Sequence, residues 1–297
     1  MSCQKKRNLS KEDKNAVVGG MLYLVATPIG NLSDISERAL KVLEEVDFIA
    51  AEDTRNSGSM LAHFGISKPM ISYFEHNKRE RGEAIAARLE NGESCALVTD
   101  AGTPAISDPG EDLVRLCAER GIPVTSIPGC CAGITALTLS GLNTTRFCFE
   151  GFVSTAKSER HERLTELSSE VRTMIFYEAP HRLRTTLADF RKYFGDRPIA
   201  LCREITKLNE EVLRTTLDGA IKIYEEKDPR GEYVLILAGA EKKAAAAEYP
   251  EDPAEHVAML MESGMGRMDA IKAAAKARGV SKNDIYSAVA KKDNEDE

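Results

Sequence analysis

A carboxylate and a stiff loop stand together at Thr99-Asp100-Ala101-Gly102-Thr103-Pro104-Ala105-Ile106-Ser107-Asp108-Pro109-Gly110, directly after the apolar run Cys95-Ala96-Leu97-Val98. A buried strand appears there as four apolar residues, and the glycines and prolines that follow hold the backbone out of both helix and strand. Main-chain N–H and C=O groups are then exposed at fixed positions beside an acid. Open α/β folds bind ligands outside the carboxyl ends of their strands. The same stretch would also serve as a strand-to-helix connection with a capping aspartate. Two more loops repeat the chemistry: Thr27-Pro28-Ile29-Gly30-Asn31-Leu32 and Pro128-Gly129-Cys130-Cys131-Ala132. Each leaves the carboxyl end of an apolar run, so three loops of one sheet converge along one edge and suit a cofactor held by main-chain contacts.

The elements that position these loops alternate. Apolar runs predict strands over 21–26, 48–51, 70–73, 95–98 and 123–127, with helices over 35–46, 60–64, 78–90, 111–120 and 132–140 between and after them. Ser33 or Asp34 is placed to cap the first helix. Such alternation implies a largely parallel sheet with helices on both faces. A second alternating series starts at Phe147, with strands at 147–152, 173–178, 199–203, 210–216 and 233–238 and helices at 158–169, 181–192 and 217–226. We therefore expect an arm at 1–20, an N-terminal α/β domain at 21–142, a C-terminal α/β domain at 143–240, a linker at 241–252 and a helical tail at 253–297. Within the tail, 270–277, Gly279-Val280 and 284–289 have helix-turn-helix spacing, which a helical hairpin covering a surface would share.

Composition narrows the function classes. The chain has 297 residues and 42% hydrophobic content, enough for ordinary cores, and no apolar run approaches the ~20 residues of a bilayer span. The polar start lacks a secretory stretch, so a cytoplasmic protein is expected. Seven cysteines without a C-x-x-C pair point to reduced thiols, and no ligand set for a metal surrounds Cys130 and Cys131. A net charge of −7 argues against diffuse electrostatic binding of nucleic acid. The charge is segregated, however: basic residues dominate 264–291, whereas 293–297 is nearly all acid. Neither the dinucleotide fingerprint nor a phosphate P-loop follows the first strand.

Five motifs in order make the pattern specific: Leu24-Val25-Ala26-Thr27-Pro28-Ile29-Gly30-Asn31-Leu32, Ala51-Glu52-Asp53-Thr54-Arg55, Asp100-Ala101-Gly102-Thr103-Pro104 with Ser107-Asp108-Pro109-Gly110, Phe176-Tyr177-Glu178 with His181-Arg182, and Arg203-Glu204-Ile205-Thr206-Lys207. Over about 21–290 the chain resembles the ribosomal RNA small subunit methyltransferase I family. The resemblance implies a two-domain tetrapyrrole-methylase-like (class III) α/β methyltransferase fold with a small C-terminal helical extension. It also implies S-adenosylmethionine-dependent 2′-O-methylation of a cytidine in the decoding region of 16S rRNA, by a homodimer. Cys130 departs from the family pattern, which has a Pro there.

Carried over residue by residue, the resemblance places the cofactor against Pro28, Gly102, Thr103, Pro104, Ala105, Ile106, Cys131 and Ala132, closed from the second domain by Phe176, Tyr177, Gly231, Glu232 and Tyr233. Transfer to a ribose hydroxyl needs the proton removed, and a base adds about 10²–10⁴-fold. Asp100, Asp53, Glu52, Glu204 and Lys207 are the candidates, Asp100 leading because it sits on the cofactor loop. Lys207 would need a depressed pKa to accept a proton and better suits orienting the ribose or a phosphate. Arg55, His76, Asn77, His181 and Arg182, with Lys207, form the RNA-facing set, and Tyr73, Phe74 or Tyr177 could stack on an extruded base. The fold alone leaves a small tetrapyrrole or a protein side chain open as substrates, and a non-enzymatic RNA-binding role as well.

Overall fold

The structure is a computed structural model that describes residues 16–241 and 249–293. Five short strands build the first sheet: β1 (Leu22–Val25), β2 (Phe48–Ala51), β3 (Met70–Ser72), β4 (Cys95–Val98) and β5 (Val124–Ile127). They lie in the order β3-β2-β4-β1-β5, and every pair is parallel. β2 and β4 are apolar along their whole length and buried at every residue, as a sheet covered on both faces requires. Helices α1 (Glu37–Glu45), α2 (Thr54–His63), α3 (Lys78–Glu90) and α4 (Gly110–Glu119) cover those faces. Ser36, rather than Ser33 or Asp34, caps α1, because Leu32–Asp34 forms a separate turn of 3-10 helix. α2 is longer than its apolar pattern indicates and starts at Thr54, where Asp53 caps it.

The second sheet, β6 (Phe147–Phe152), β7 (Thr173–Glu178), β8 (Pro198–Arg203), β9 (Glu211–Thr216) and β10 (Tyr233–Leu237), runs in the order β6-β7-β10-β8-β9. Only β6 and β7 are parallel; β10 inserts antiparallel between β7 and β8, and β8 and β9 form a hairpin. Alternation does not force a parallel sheet here, since antiparallel neighbours need only short links. One row of the register matters for function: Tyr177, Val234 and Cys202 are paired across three strands and point to the same face. The next row, Phe176, Leu235 and Leu201, points the other way into a core roofed by α7 (Leu183–Phe194) and α8 (Leu217–Glu226).

Helix α5 (Ala132–Ser140) follows the last strand of the first sheet but packs on the second, against Ile175, Ala200, Cys202 and Ile236. Both sheets belong to one compact unit that ends at Ala240. Most of the arm expected at 1–20 lies outside the described residues, and its last part is held to the fold. Val18 N–H donates to the Tyr23 hydroxyl at 2.7 Å, and Gly20 N–H to Glu93 O at 2.9 Å. The linker expected at 241–252 and the acidic end at 293–297 also lie largely outside them. Residues from 249 on form α9 (Pro253–Glu262), α10 (Arg267–Arg278) and α11 (Lys282–Asp293), three helices around Val257, Ile271, Ala274, Ile285 and Val289. A three-residue turn at 279–281, with Gly279 at φ +68°, joins α10 to α11. No helix among the described residues is long and apolar enough to cross a membrane.

Candidate active site

A cavity of about 480 Å³ opens where the carboxyl ends of β1 and β4 face the ends of β7 and β8 and the start of β10. Its floor is the 99–108 loop. Thr27 and Gly102 exchange main-chain hydrogen bonds, Thr27 N–H to Gly102 O at 2.9 Å and Gly102 N–H to Thr27 O at 3.0 Å. Gly102 has φ +88°, a backbone that side chains resist. Thr103 Oγ1 donates to Cys130 O at 2.9 Å, so all three loops anticipated at this sheet edge are stitched together.

The loop is strained, and Asp108 holds it. Ala105 and Ser107 have φ of 65° and 62°. The Asp108 carboxylate accepts from Ala105 N–H at 3.1 Å and Gly110 N–H at 2.7 Å with one oxygen, and from Ile106 N–H at 3.3 Å with the other. Those three bonds stabilise a backbone that costs of order 1–3 kcal/mol for each left-handed residue. The other two non-glycine residues with positive φ, among those described, are Glu204 and Thr206 at 50° and 68°, in the turn that faces this loop from the second sheet. Among the described residues, the non-glycine left-handed backbone is thus confined to the two sides of one cavity.

On the second side, Lys207 Nζ lies 2.7 Å from Glu232 Oε2 and 3.0 Å from Glu204 Oε1. Burial pulls the Lys207 ammonium down, but the hydrogen bonds and charges of Glu232 and Glu204 outweigh it, and its pKa ends above the usual lysine value. Lys207 is therefore a fixed cation. Glu204 is held below the ordinary range, first by the Glu232 N–H that it accepts at 2.9 Å and also by Lys207. Gly231 makes room for this carboxylate: a Cβ there would fall 2.5 Å from Glu204 Cγ. Tyr177 leans over the cavity, its hydroxyl accepting from Gly133 N–H at 3.2 Å, and burial raises its pKa.

The structure brings Gly102, Thr103, Ile106, Cys131, Ala132, Tyr177, Glu204, Lys207 and Glu232 to the cavity, and Tyr233 borders it while its ring packs on Tyr224 in the core that also holds Phe176. Pro28 and Pro104 are buried next to wall residues and shape the loop backbone. Phe176 is a correction. Strand alternation turns it to the opposite face, where it is 1% exposed and packs on Phe190. Asp53 is another, because it caps α2 and grips Arg55 at 2.7 Å, which with the Arg55 N–H holds its pKa down at about 2. Asp100 is exposed at the rim, 3.4 Å from Asn56 Nδ2.

Of the proposed RNA-facing residues, Arg55 and His76 lie outside the cavity on exposed surface. Asn77 braces its own loop, accepting from Phe74 N–H at 2.8 Å and donating to Ser72 O at 3.1 Å. Tyr73 is buried with its hydroxyl on Pro109 O, so it cannot stack on a base. His181 and Arg182 line a separate groove. Sequence reasoning missed Ile29, Phe152, Glu178, Ile205 and Val234 as wall residues. The only sequence cue for Val234 was membership of an apolar run, which every core strand shares, and for Ile205 its place between Glu204 and Lys207 in a polar motif.

Residues 21–221 match the family model for tetrapyrrole (corrin/porphyrin) methylases. Over 268 residues the chain is 46% identical to a ribosomal RNA small subunit methyltransferase I of Synechocystis sp., covering 90% of this chain and 96% of the relative. The chain belongs to the ribosomal RNA small subunit methyltransferase I family of tetrapyrrole methylases. The relative from Escherichia coli O157:H7 is 44% identical over 270 residues, with 90% and 93% of the two chains covered. Among solved structures, a uroporphyrin-III C-methyltransferase from Thermus thermophilus has a TM-score of 0.54 at 19% identity over 74% of this chain and 94% of its own. A cobalt precorrin-4 methyltransferase of cobalamin biosynthesis also has 0.54, at 17% identity over 74% and 95%. Those two establish the tetrapyrrole-methylase fold, which is the fold the sequence motifs implied. As a member of this family the chain is a methyltransferase that uses a methyl donor.

Proposed function

We propose that the chain transfers the methyl of S-adenosylmethionine to the ribose 2′-hydroxyl of a cytidine in the decoding region of 16S rRNA. The observation that carries the reading is the cavity itself, with a main-chain floor from the first sheet and a carboxylate-rich, cation-anchored wall from the second. The name shared by relatives at 44–46% identity supplies the RNA class.

The lining fits the donor. About 480 Å³ is in the range of small-molecule sites, Ile29, Ile106, Ile205 and Val234 offer apolar walls, and the carboxylates suit a cationic ligand. Gly102, Thr103 and Ile106 would hold it from below, and Tyr177 from above. When bound, S-adenosylmethionine supplies a methyl carbon activated by its sulfonium.

The chain's own residues orient the hydroxyl and take its proton. Lys207, held charged by two acids, orients the ribose or its phosphate. Asp53, with a pKa of about 2, is a weak proton acceptor, and Glu204 and Glu232 are tied to Lys207. Glu52 reaches the cavity with Thr99 Oγ1 as its hydrogen-bond donor at 2.8 Å, so we assign it the proton, with Asp100, at the rim between lining residues Thr99 and Ala101, to orient the substrate. A homodimer working in the cytoplasm completes the proposal, and light scattering of the purified chain tests the pairing.

The decisive experiment incubates the protein and labelled S-adenosylmethionine with small subunits from a strain lacking this gene, then maps the product by mass spectrometry. One methyl on a cytidine ribose in the decoding region is expected. A methyl on a base, or none on rRNA, overturns the reading.

A further inference from the structure

A second concavity of about 510 Å³ lies on the same compact unit, between the start of α6 (Lys157–Glu166) and α7. Its lining includes Lys157, Arg160, His161, His181, Arg182 and Lys192, with Asp189 as the acid among the lining residues. Arg160 and Arg182 are structural. Arg160 pairs with Asp189 at 2.6 Å and bonds Thr186 Oγ1 at 3.0 Å, and Arg182 donates to Val153 O and sits 3.6 Å from the buried Glu178. The nearby Glu159 accepts from Ser154 Oγ at 2.7 Å. Lys157, His181 and Lys192 are exposed, and among the described residues none of the three forms an ion pair; Lys192 lies 5.3 Å over the Tyr193 ring. His161 Nδ1 is 2.6 Å from the Tyr193 hydroxyl. The groove therefore presents uncompensated positive charge on an acidic protein.

Its position gives that charge a use. β6 and β7 are parallel neighbours, so they leave the sheet side by side at the same end. Phe152 and Glu178-Ala179-Pro180 line the cavity, and the residues that follow, Ser154-Thr155 and His181-Arg182, line the groove. Two adjacent chain segments thus form one lip with the transfer site on one side and the basic groove on the other. Phe152 caps the lip with 58% of its surface exposed, its ring 5.6 Å from that of Tyr177. An aromatic face between a transfer site and a line of cations matches a single-stranded nucleic acid, whose bases stack while its phosphates seek charge.

We propose that the α6–α7 groove binds backbone phosphates of the substrate RNA flanking the methylated nucleotide, with Lys157 and Lys192 as the principal contacts. This rests on the RNA reading above and assigns it a surface. Phosphate neutralisation releases counterions, so affinity falls with salt along a slope set by the number of contacts. The test measures binding of the full chain to unmethylated small subunits across a potassium chloride series, with S-adenosylmethionine affinity followed by calorimetry. Lys157→Ala/Lys192→Ala is expected to weaken RNA binding roughly tenfold and to lower the salt slope by about one per lysine. S-Adenosylmethionine affinity stays at the wild-type value, and Lys157→Arg/Lys192→Arg restores RNA affinity and slope. An alanine variant with wild-type affinity and slope overturns the groove while leaving the RNA reading intact. A wild-type chain that binds no RNA at any salt concentration overturns both.

Discussion

Gly30 and Lys207 touch: a Cβ on Gly30 would lie 2.4 Å from Lys207 Cγ and 2.9 Å from Thr206 Oγ1. One residue sits in the loop after β1 of the first sheet, the other in the strained turn after β8 of the second, so the contact sets how the two walls of the cavity meet. Gly30 has φ +150°, which a side chain also resists. Gly30→Ala should push Lys207 off its carboxylates and lower kcat on the order of 10²-fold, as a displacement of about 1 Å in a positioning group does. Steady-state methylation checks this, with circular dichroism confirming the fold.

Lys207 should remain charged throughout any practical assay, because its pKa is raised above the usual lysine value of 10.5. The kcat–pH profile of the wild type is expected to show no loss from Lys207 deprotonation below about pH 10. Lys207→Arg should retain most activity and Lys207→Met little. An inflection near neutrality that disappears in Lys207→Arg would mean the lysine is the proton acceptor.

Asp108→Ala removes the acceptor for three loop N–H groups, of which that of buried Gly110 is the one shielded from water, and a buried N–H without a partner costs about 1–3 kcal/mol. With Ala105 and Ser107 in strained conformations, the loop should relax away from the cofactor floor. Calorimetry is expected to find S-adenosylmethionine binding weakened by roughly tenfold or more, with a smaller loss for Asp108→Asn, which keeps one acceptor oxygen.

Asp53 links helix α2 to pH. Its folded-state pKa of about 2 is below the ordinary value of 3.8, so its stabilisation is complete above about pH 4 and is lost as pH falls towards 2. Asp53→Asn should therefore lower the Tm at pH 6, and the gap to wild type should narrow below about pH 4 and close only as pH falls below about 2. Activity at neutral pH should be largely retained, as expected of a helix cap.

Phe176 and Tyr177 are neighbours with opposite duties. Phe176→Ala is expected to destabilise the fold by about 3–5 kcal/mol in denaturant melts, since it empties the core under α7. Tyr177→Phe removes only the Gly133 bond, about 0.5–1.5 kcal/mol, and Tyr177→Ala should raise the Kd for the methyl donor without a comparable loss of stability.

Local chemistry carried much of this protein in plain view. Gly102 with Pro104 and Pro109, Pro28 with Gly30, and Pro128-Gly129 each mark a strand end, because such residues exclude regular structure wherever they stand. Strands β1, β2 and β4 are short apolar runs, legible without any partner. For the same reason the three loops of the first sheet could be read as one site edge, and the structure stitches them through Thr27, Gly102, Thr103 and Cys130.

What the chain alone left undecided depends on partners distant in sequence. Which face Phe176 and Tyr177 take follows from α5 packing on one side of the second sheet and α7 on the other. The antiparallel insertion of β10 brings Val234, Cys202 and Tyr177 into one row and sets Glu232 against Lys207. Asp53 looks like a site carboxylate until Arg55 and the start of α2 claim it, and Glu52, one residue earlier, enters the cavity instead. Side-chain type and spacing determined where backbone could be exposed to a ligand; long-range packing and charge pairing decided which side chains face it and in what protonation state.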